Sequence, residues 1–363
     1  MANIAINGFG RIGRNVLKVG WGKPGFKVVA INDLTDAATL AYLLKHDTNY
    51  GTWVVPVSAK GKNLIIDGVT IPICAEKDPA ALPWKKLKVD VVIESTGFFV
   101  TEEGSMGHIK AGAKRVVISA PAKGGNVPTY VLGVNDSGLK MEKALVVNNA
   151  SCTTNSVAPV TAVMDEVFGI AKAMLTTVHG MTASQSLVDA PKRDLREGRA
   201  ASENIIPTTT GAAIAVTQTL PQLKNKFDGL SIRVPVPTVS LSDMTFVLKR
   251  KVTKEEVNAA LVKAAKSVRW QGILGVTSEL LVSSDFVGDP HSAIVDLALT
   301  NVVDGDLVKV VAWYDNEWGY ANRLAEIAVD LAPAAEVKTV AKKIAVKKST
   351  KKVVAKKTVA KKK

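Results

Sequence analysis

Short runs of Val, Ile and Ala recur through the first 150 residues, separated by segments long enough for a helix. Asn3-Ile-Ala-Ile-Asn7 stops at Gly8, and Arg11 to Val19 can form a helix. Lys27-Val-Val-Ala-Ile31 leads to Asp33, and Val89-Asp-Val-Val-Ile-Glu94 leads to Ser95-Thr96-Gly97. Arg115-Val-Val-Ile-Ser119 and Ala144-Leu-Val-Val-Asn148 repeat the theme. Apolar runs this short, separated by helix-length segments, read as strands of a parallel sheet covered on both faces.

Beyond residue 150 the strands lengthen and gain Thr and Ser: Ser231-Ile-Arg-Val-Pro235, Val239 to Lys249, and Leu307 to Tyr314. Consecutive strands with few crossover helices predict a mixed or antiparallel sheet. Thr253 and Glu256 have capping-box spacing for a helix reaching about Ala265. A last helix is expected from about Asn316 to Leu331, stopped by Pro333. The expected class is α/β. A parallel-sheet domain spans residues 1–150 and is completed by the helix at 316–333, an α+β domain spans 151–315, and a tail spans 334–363. In that tail Val-Ala-Lys-Lys occurs at 340–343, 354–357 and 359–362. Repelling lysines with little bulky apolar surface predict disorder there.

The 363 residues suffice for two domains, and 47% hydrophobic with 22% charged residues excludes a disordered chain, a collagen-like fibre and a coiled-coil rod. The net charge of +14 looks at first like a nucleic-acid signal. However, 12 lysines and no acid lie between Lys338 and Lys363, so the remainder carries only +2. Two cysteines, Cys74 and Cys152, make no disulfide scaffold and suit a reducing compartment. No stretch approaches the ~18 unbroken apolar residues of a membrane helix, and the N-terminus does not read as a signal peptide. A cytoplasmic protein with no membrane partner is expected.

Gly8-Phe-Gly10-Arg-Ile-Gly13 lies between the first strand and first helix, and Asp33 follows the second strand, 20 residues beyond Gly13. A lone match to this glycine pattern is weak, but the strand before, the helix after and the later carboxylate are the context of a Rossmann-type dinucleotide site. Glycine lets the backbone approach a pyrophosphate resting on the helix N-terminus. Asp33 can accept from the adenosine ribose hydroxyls and would repel a 2′-phosphate, favouring NAD over NADP. Cys152, in Ala150-Ser-Cys-Thr-Thr-Asn155, sits at an expected helix start, where the dipole favours thiolate. Cys74, in Val69-Thr-Ile-Pro-Ile-Cys74, reads as a small buried hydrophobe. His179 ends the run Met174-Leu-Thr-Thr-Val178 and gains interest as a base for that thiol. His46, His108 and His291 sit in polar or loop-like contexts, and no His/Cys spacing fits a metal site.

The sequence resembles phosphorylating glyceraldehyde-3-phosphate dehydrogenases. The likeness is carried by Asn7 to Arg14, Ala150 to Asn155 with Ala158-Pro159, Thr176-Thr-Val-His179, Asn204-Ile-Ile-Pro207 with Thr210-Gly-Ala-Ala213, Arg233-Val-Pro235 and Trp313 to Tyr320. These stand in order from about residue 2 to residue 333. The resemblance implies that NAD is held by Gly8, Gly10, Arg11, Ile12, Gly13, Asp33, Lys77, Ser119 and Asn316, with the Arg11 and Ile12 amides on the pyrophosphate and Asn316 on the nicotinamide amide. It implies Cys152 as nucleophile and His179 as its base. Thr182 and Arg233 would form one phosphate subsite, and Ser151, Thr153, Thr210 and Gly211 the other. It also implies a homotetramer.

The implied chemistry is attack of Cys152 thiolate, stabilised by an imidazolium at His179, on the aldehyde of glyceraldehyde 3-phosphate. A thiohemiacetal, loss of hydride to NAD, a thioester and phosphorolysis to 1,3-bisphosphoglycerate follow. Erythrose-4-phosphate dehydrogenase is the alternative, since it shares the pattern and passes the acyl group to water. The sequence departs from the family pattern at Ser156, at Gly180-Met181, at Ala190 and in the lysine tail, which is expected to attract nucleic acid or polyphosphate without base specificity.

Overall fold

The computed structural model describes residues 1–333; the expectation of a disordered lysine tail lies outside the described residues. The first half contains β1 (Ala2–Asn7), α1 (Arg11–Gly20), β2 (Phe26–Asn32), α2 (Ala37–Lys45), the two-residue strands β3 (His46–Asp47) and β4 (Gly51–Thr52), β5 (Val57–Lys60), β6 (Asn63–Ile66), β7 (Val69–Cys74), α3 (Trp84–Leu87), β8 (Val91–Glu94), α4 (Glu102–Lys110), β9 (Arg115–Ile118) and β10 (Val146–Asn148). The sheet order is β10-β9-β8-β1-β2-β7-β6-β5. It is parallel from β10 to β7 and antiparallel across β5, β6 and β7. The β5–β6 hairpin escapes sequence reading because its strands are four residues long and only partly apolar. Asn7 pairs in register with both Asn32 and Glu94, so the C-terminal ends of β1, β2 and β8 lie side by side. Ligands bind at that edge in parallel sheets.

The second half contains α5 (Cys152–Phe168), β11 (Ile170–His179), β12 (Ile206–Thr209), α6 (Ala212–Thr219), β13 (Phe227–Arg233), β14 (Ser240–Leu248), α7 (Lys254–Ala265), β15 (Leu274–Thr277), β16 (Ala293–Asp296), β17 (Asn301–Val303), β18 (Leu307–Tyr314) and α8 (Trp318–Leu331). Its sheet runs β12-β13-β11-β14-β18-β16-β15, with β17 on β18. The β11–β13 and β15–β16 pairs are parallel and the rest antiparallel, the mixed sheet expected. Thr253 caps α7 in the expected reciprocal bond with Glu256. The strand expected to reach Pro235 ends at Arg233, because Pro235 has no N–H for a ladder.

The last helix starts later than Asn316. The Asp315 carboxylate accepts from the Glu317 N–H at 3.0 Å and the Trp318 N–H at 2.9 Å, which holds a turn and leaves Asn316 outside the helix. Helix α8 packs along α1, and its Leu324, Ile327 and Ala328 share a core with Ile4, Ile6, Val16 and Leu17. Among the described residues no helix is long and apolar enough to cross a membrane.

Candidate active site

At the C-terminal edge of the first sheet lies a cavity of about 560 Å³, lined by Gly8, Gly10, Asp33, Lys77 and Phe99 among others. Gly8 has φ +90°, and a Cβ there would fall 2.7 Å from the Thr96 nitrogen. Gly13 is tighter still: a Cβ would sit 2.2 Å from the Gly8 carbonyl oxygen. These two glycines close the turn, whereas Gly10 faces open space. Gly10 caps α1 without any side-chain bond, so the amides of Arg11, Ile12 and Gly13 are left for a ligand. Asp33 is aimed from behind, its Oδ2 accepting from the Phe9 N–H at 2.8 Å. Leu34, Phe98 and Phe99 also line the cavity; single apolar residues in loops carry no local signal of that role. The Arg11 side chain turns away to Asp47 and Glu317. Ser119 follows β9 and is not part of this lining; its N–H donates to the Glu94 carbonyl.

Cys152 is the first residue of α5, with Ser151 as the cap. The chain enters the helix through Ala150 at φ +53°, unusual for a residue with a Cβ. The Asn148 side chain accepts from the Ala150 N–H, and the Tyr320 hydroxyl donates to the Ala150 carbonyl. Such strain is found where a side chain must be aimed. Sγ of Cys152 then lies 3.5 Å from Nε2 of His179. His179 Nδ1 is 2.7 Å from the Gly180 carbonyl, which can only accept, so Nδ1 carries the proton and Nε2 presents a lone pair to the sulfur. A Cβ at Gly180 would be tight, 3.1 Å from the carbonyl oxygens of Val236 and Val239.

The surroundings act against the expected imidazolium partner. Burial and the neighbouring Arg233 guanidinium pull the His179 pKa down to about 4. Desolvation pushes the Cys152 thiol up, against the opposing pull of Arg233, the Thr153 hydroxyl and the first helical amides. Burial thus works against the charged form of both partners. Cys74, at the end of β7, is also pushed up by burial, then by Glu76.

Arg233 pairs with His179 along the β11–β13 ladder and keeps one buried guanidinium nitrogen, Nη1, without a partner. A buried donor left open beside Cys152 and His179 is what an anion would satisfy. Thr182 lies three residues past His179, its hydroxyl 2.9 Å from Ser184 Oγ. Of the other expected subsite, Ser151 caps α5 through Thr154, and Gly211 caps α6 with no side-chain bond, next to Thr210. The Thr153 hydroxyl is buried against Tyr314 Oη at 2.8 Å, which directs it inward. No bond links Ser151 or Thr153 to Thr210 or Gly211 among the described residues. Tyr314, which also meets Thr177 at 3.0 Å and the His179 ring edge-on, lies in the Trp313 to Tyr320 motif but has no role assigned from sequence.

Two family models match in chain order. The model described as the glyceraldehyde 3-phosphate dehydrogenase NAD binding domain covers residues 2–102, and that of the C-terminal domain covers residues 151–316. The chain belongs to the glyceraldehyde-3-phosphate dehydrogenase family. It is 51% identical to glyceraldehyde-3-phosphate dehydrogenase 2 of Streptomyces avermitilis, over 90% of this chain and 97% of the relative. Glyceraldehyde-3-phosphate dehydrogenase of Geobacillus stearothermophilus is 50% identical over 91% of this chain and 98% of its own. Glyceraldehyde-3-phosphate dehydrogenase 1 of Bacillus subtilis is 49% identical over the same shares. The fold is accordingly a Rossmann-type NAD-binding domain followed by the family's C-terminal domain. The first cavity suits NAD: the uncapped helical amides could receive its pyrophosphate and the aimed carboxylate of Asp33 its ribose.

Proposed function

We propose that the protein is an NAD-dependent oxidoreductase of glycolysis, oxidising glyceraldehyde 3-phosphate and transferring the acyl group to inorganic phosphate. The observation that carries this is the Cys152 sulfur 3.5 Å from His179 Nε2, beside an unpartnered Arg233 donor. Arg233, with Thr182, anchors the substrate phosphate. His179 Nε2 takes the thiol proton as the sulfur bonds to the aldehyde carbon, and returns it to the new hydroxyl. NAD, when bound, supplies the hydride acceptor. His179 removes the hydroxyl proton as the C–H hydrogen leaves with its electron pair, which leaves Cys152 as a thioester. Inorganic phosphate near Ser151, Thr210 and Gly211 attacks that carbonyl, and the departing sulfur regains its proton from His179. Asn316 would hold the nicotinamide amide and so set the ring face.

The proposed units are residues 1–150 with 316–333 for NAD and 151–315 for catalysis. A homotetramer is supported by the exposed Leu187, Val188 and Leu195 on one loop, which a second copy would cover. A cytoplasmic site suits two free cysteines. The 12 lysines beyond Val337 bind polyanions at low salt and take no part in the chemistry. The test is NADH formation from glyceraldehyde 3-phosphate, with NAD against NADP and with and without phosphate. Strict phosphate dependence supports the reading; equal rates with water as acceptor overturn it.

A further inference from the structure

The side chain of Ser240 lies between the two halves of the proposed chemistry. It is the first residue of β14 and is 2% exposed. Its Oγ accepts from the Gly180 N–H at 3.1 Å and donates to Asn316 Oδ1 at 2.9 Å. Gly180 is the residue whose carbonyl holds the His179 Nδ1 proton. A single hydroxyl thus completes one line of bonds from His179 through Gly180 to the Asn316 amide. With Oδ1 engaged, Asn316 has its Nδ2 donors left for a ligand.

The backbone supports this placement at a cost. Val239, just before Ser240, has φ +70° and is 2% exposed. A β-branched residue rarely takes that conformation, and such outliers persist where the surroundings over-determine them. Its carbonyl oxygen is also one of the two atoms that would crowd a Cβ at Gly180, at 3.1 Å. Asp315 fixes the main chain on the other side of Asn316 by accepting from the Thr238 hydroxyl, Tyr50 Oη and the Gly288 N–H as well as from the start of α8.

We infer that Ser240 is a positioning residue that orients the Asn316 amide for the nicotinamide and, through the same hydroxyl, holds the N–H of Gly180, the residue whose carbonyl sets the His179 tautomer. This rests on the NAD and Cys–His reading above, and two readouts separate its failure from that of the reading. The first is NAD affinity by titration calorimetry, for Ser240→Ala, Asn316→Ala and the double variant. Loss of one buried hydrogen bond weakens binding about 3- to 10-fold, and the double variant should bind no worse than Asn316→Ala alone. The second is the pH profile of Cys152 alkylation by iodoacetamide without coenzyme, which Ser240→Ala should displace by slackening His179. Ser240→Cys, close in shape and weaker in bonding, should give smaller effects in both and serves if the Ala variant folds poorly. Additive losses in the double variant, or an unchanged alkylation profile, would overturn the inference. Absence of NAD binding by the unaltered protein would instead overturn the functional reading, and the alkylation profile would still decide Ser240.

Discussion

Gly10 and Gly13 belong to one motif, yet alanine should damage them in different ways. At Gly13 the new Cβ would lie 2.2 Å from the Gly8 carbonyl oxygen and 3.1 Å from Ile6 Cγ2. Contact with backbone cannot be relieved by turning a side chain, so α1 must lift off β1 by most of an ångström. Overpacking of this kind costs about 1–3 kcal/mol, and a backbone obstacle places Gly13→Ala at the upper end. With roughly 2 °C per kcal/mol for a chain of this size, Tm should fall by roughly 6 °C. At Gly10 nothing lies within 4 Å of the Cβ position, and the backbone is in an extended conformation open to alanine. Gly10→Ala should leave Tm within about 1 °C. Its methyl group instead enters the cavity at the uncapped end of α1. Loss of one charged hydrogen bond to pyrophosphate there costs about 1.5–3 kcal/mol, or roughly 10- to 100-fold in Kd for NAD. Differential scanning calorimetry and titration calorimetry on both variants separate the effects. If Gly10→Ala binds NAD normally, or lowers Tm as far as Gly13→Ala does, the division of labour between these glycines is wrong.

Cys152→Ser should lower turnover by more than roughly 10³-fold while NAD affinity stays within about threefold; substantial residual turnover would exclude a covalent route. His179 is held near pKa 4 when folded, against an ordinary 6.5. The unfolded chain therefore binds a proton in that window that the folded chain refuses. Stability is full above pH 6.5 and falls as pH drops toward 4, at no more than about 1.4 kcal/mol per pH unit. Urea midpoints at pH 7 and pH 5 should differ less in His179→Asn than in the unaltered chain, and equal differences would refute the buried neutral imidazole. Asp33→Asn keeps an oxygen for the Phe9 amide but removes the charge. It should raise NADP use relative to NAD by about tenfold or more; an unmoved ratio of kcat/KM would mean that another group reads the ribose.

Much of this molecule was legible where the signal is local. The glycine turn, Asp33 and the Ser151–Cys152 helix start each combine a strand, a turn and a helix within a few residues. The partners of those residues were less legible. Gly180 and Ser240 are 60 residues apart, Ser240 and Asn316 are 76, and Thr153 and Tyr314 are 161. Such bonds depend on sheet order, and no spacing in the chain encodes it. The same holds for Arg11, whose charge is met by Glu317 across 306 residues. The burial of His179 and the placing of Arg233 beside it, which both act against an imidazolium, also depend on sheet pairing and leave no mark in local sequence.

The packing of α8 against α1 has a consequence for how the polypeptide is made. Strands β1 and β2 leave the ribosome first, but the helix that packs on α1 and against β8 and β9 of the same sheet is the last one described, ending at Leu331. At about 5–20 residues per second, roughly 15–60 s separate the emergence of α1 from that of α8. During that interval Ile4, Val16 and Leu17 lack part of the apolar cover they share with Leu324 and Ile327. The N-terminal half is therefore expected to wait for the C-terminus as a client for chaperones, rather than to fold domain by domain as it is translated. Nascent chains arrested before Trp318 should be cut by protease within the first 150 residues. Protection equal to that of the full-length chain would show that the first sheet closes without its last helix.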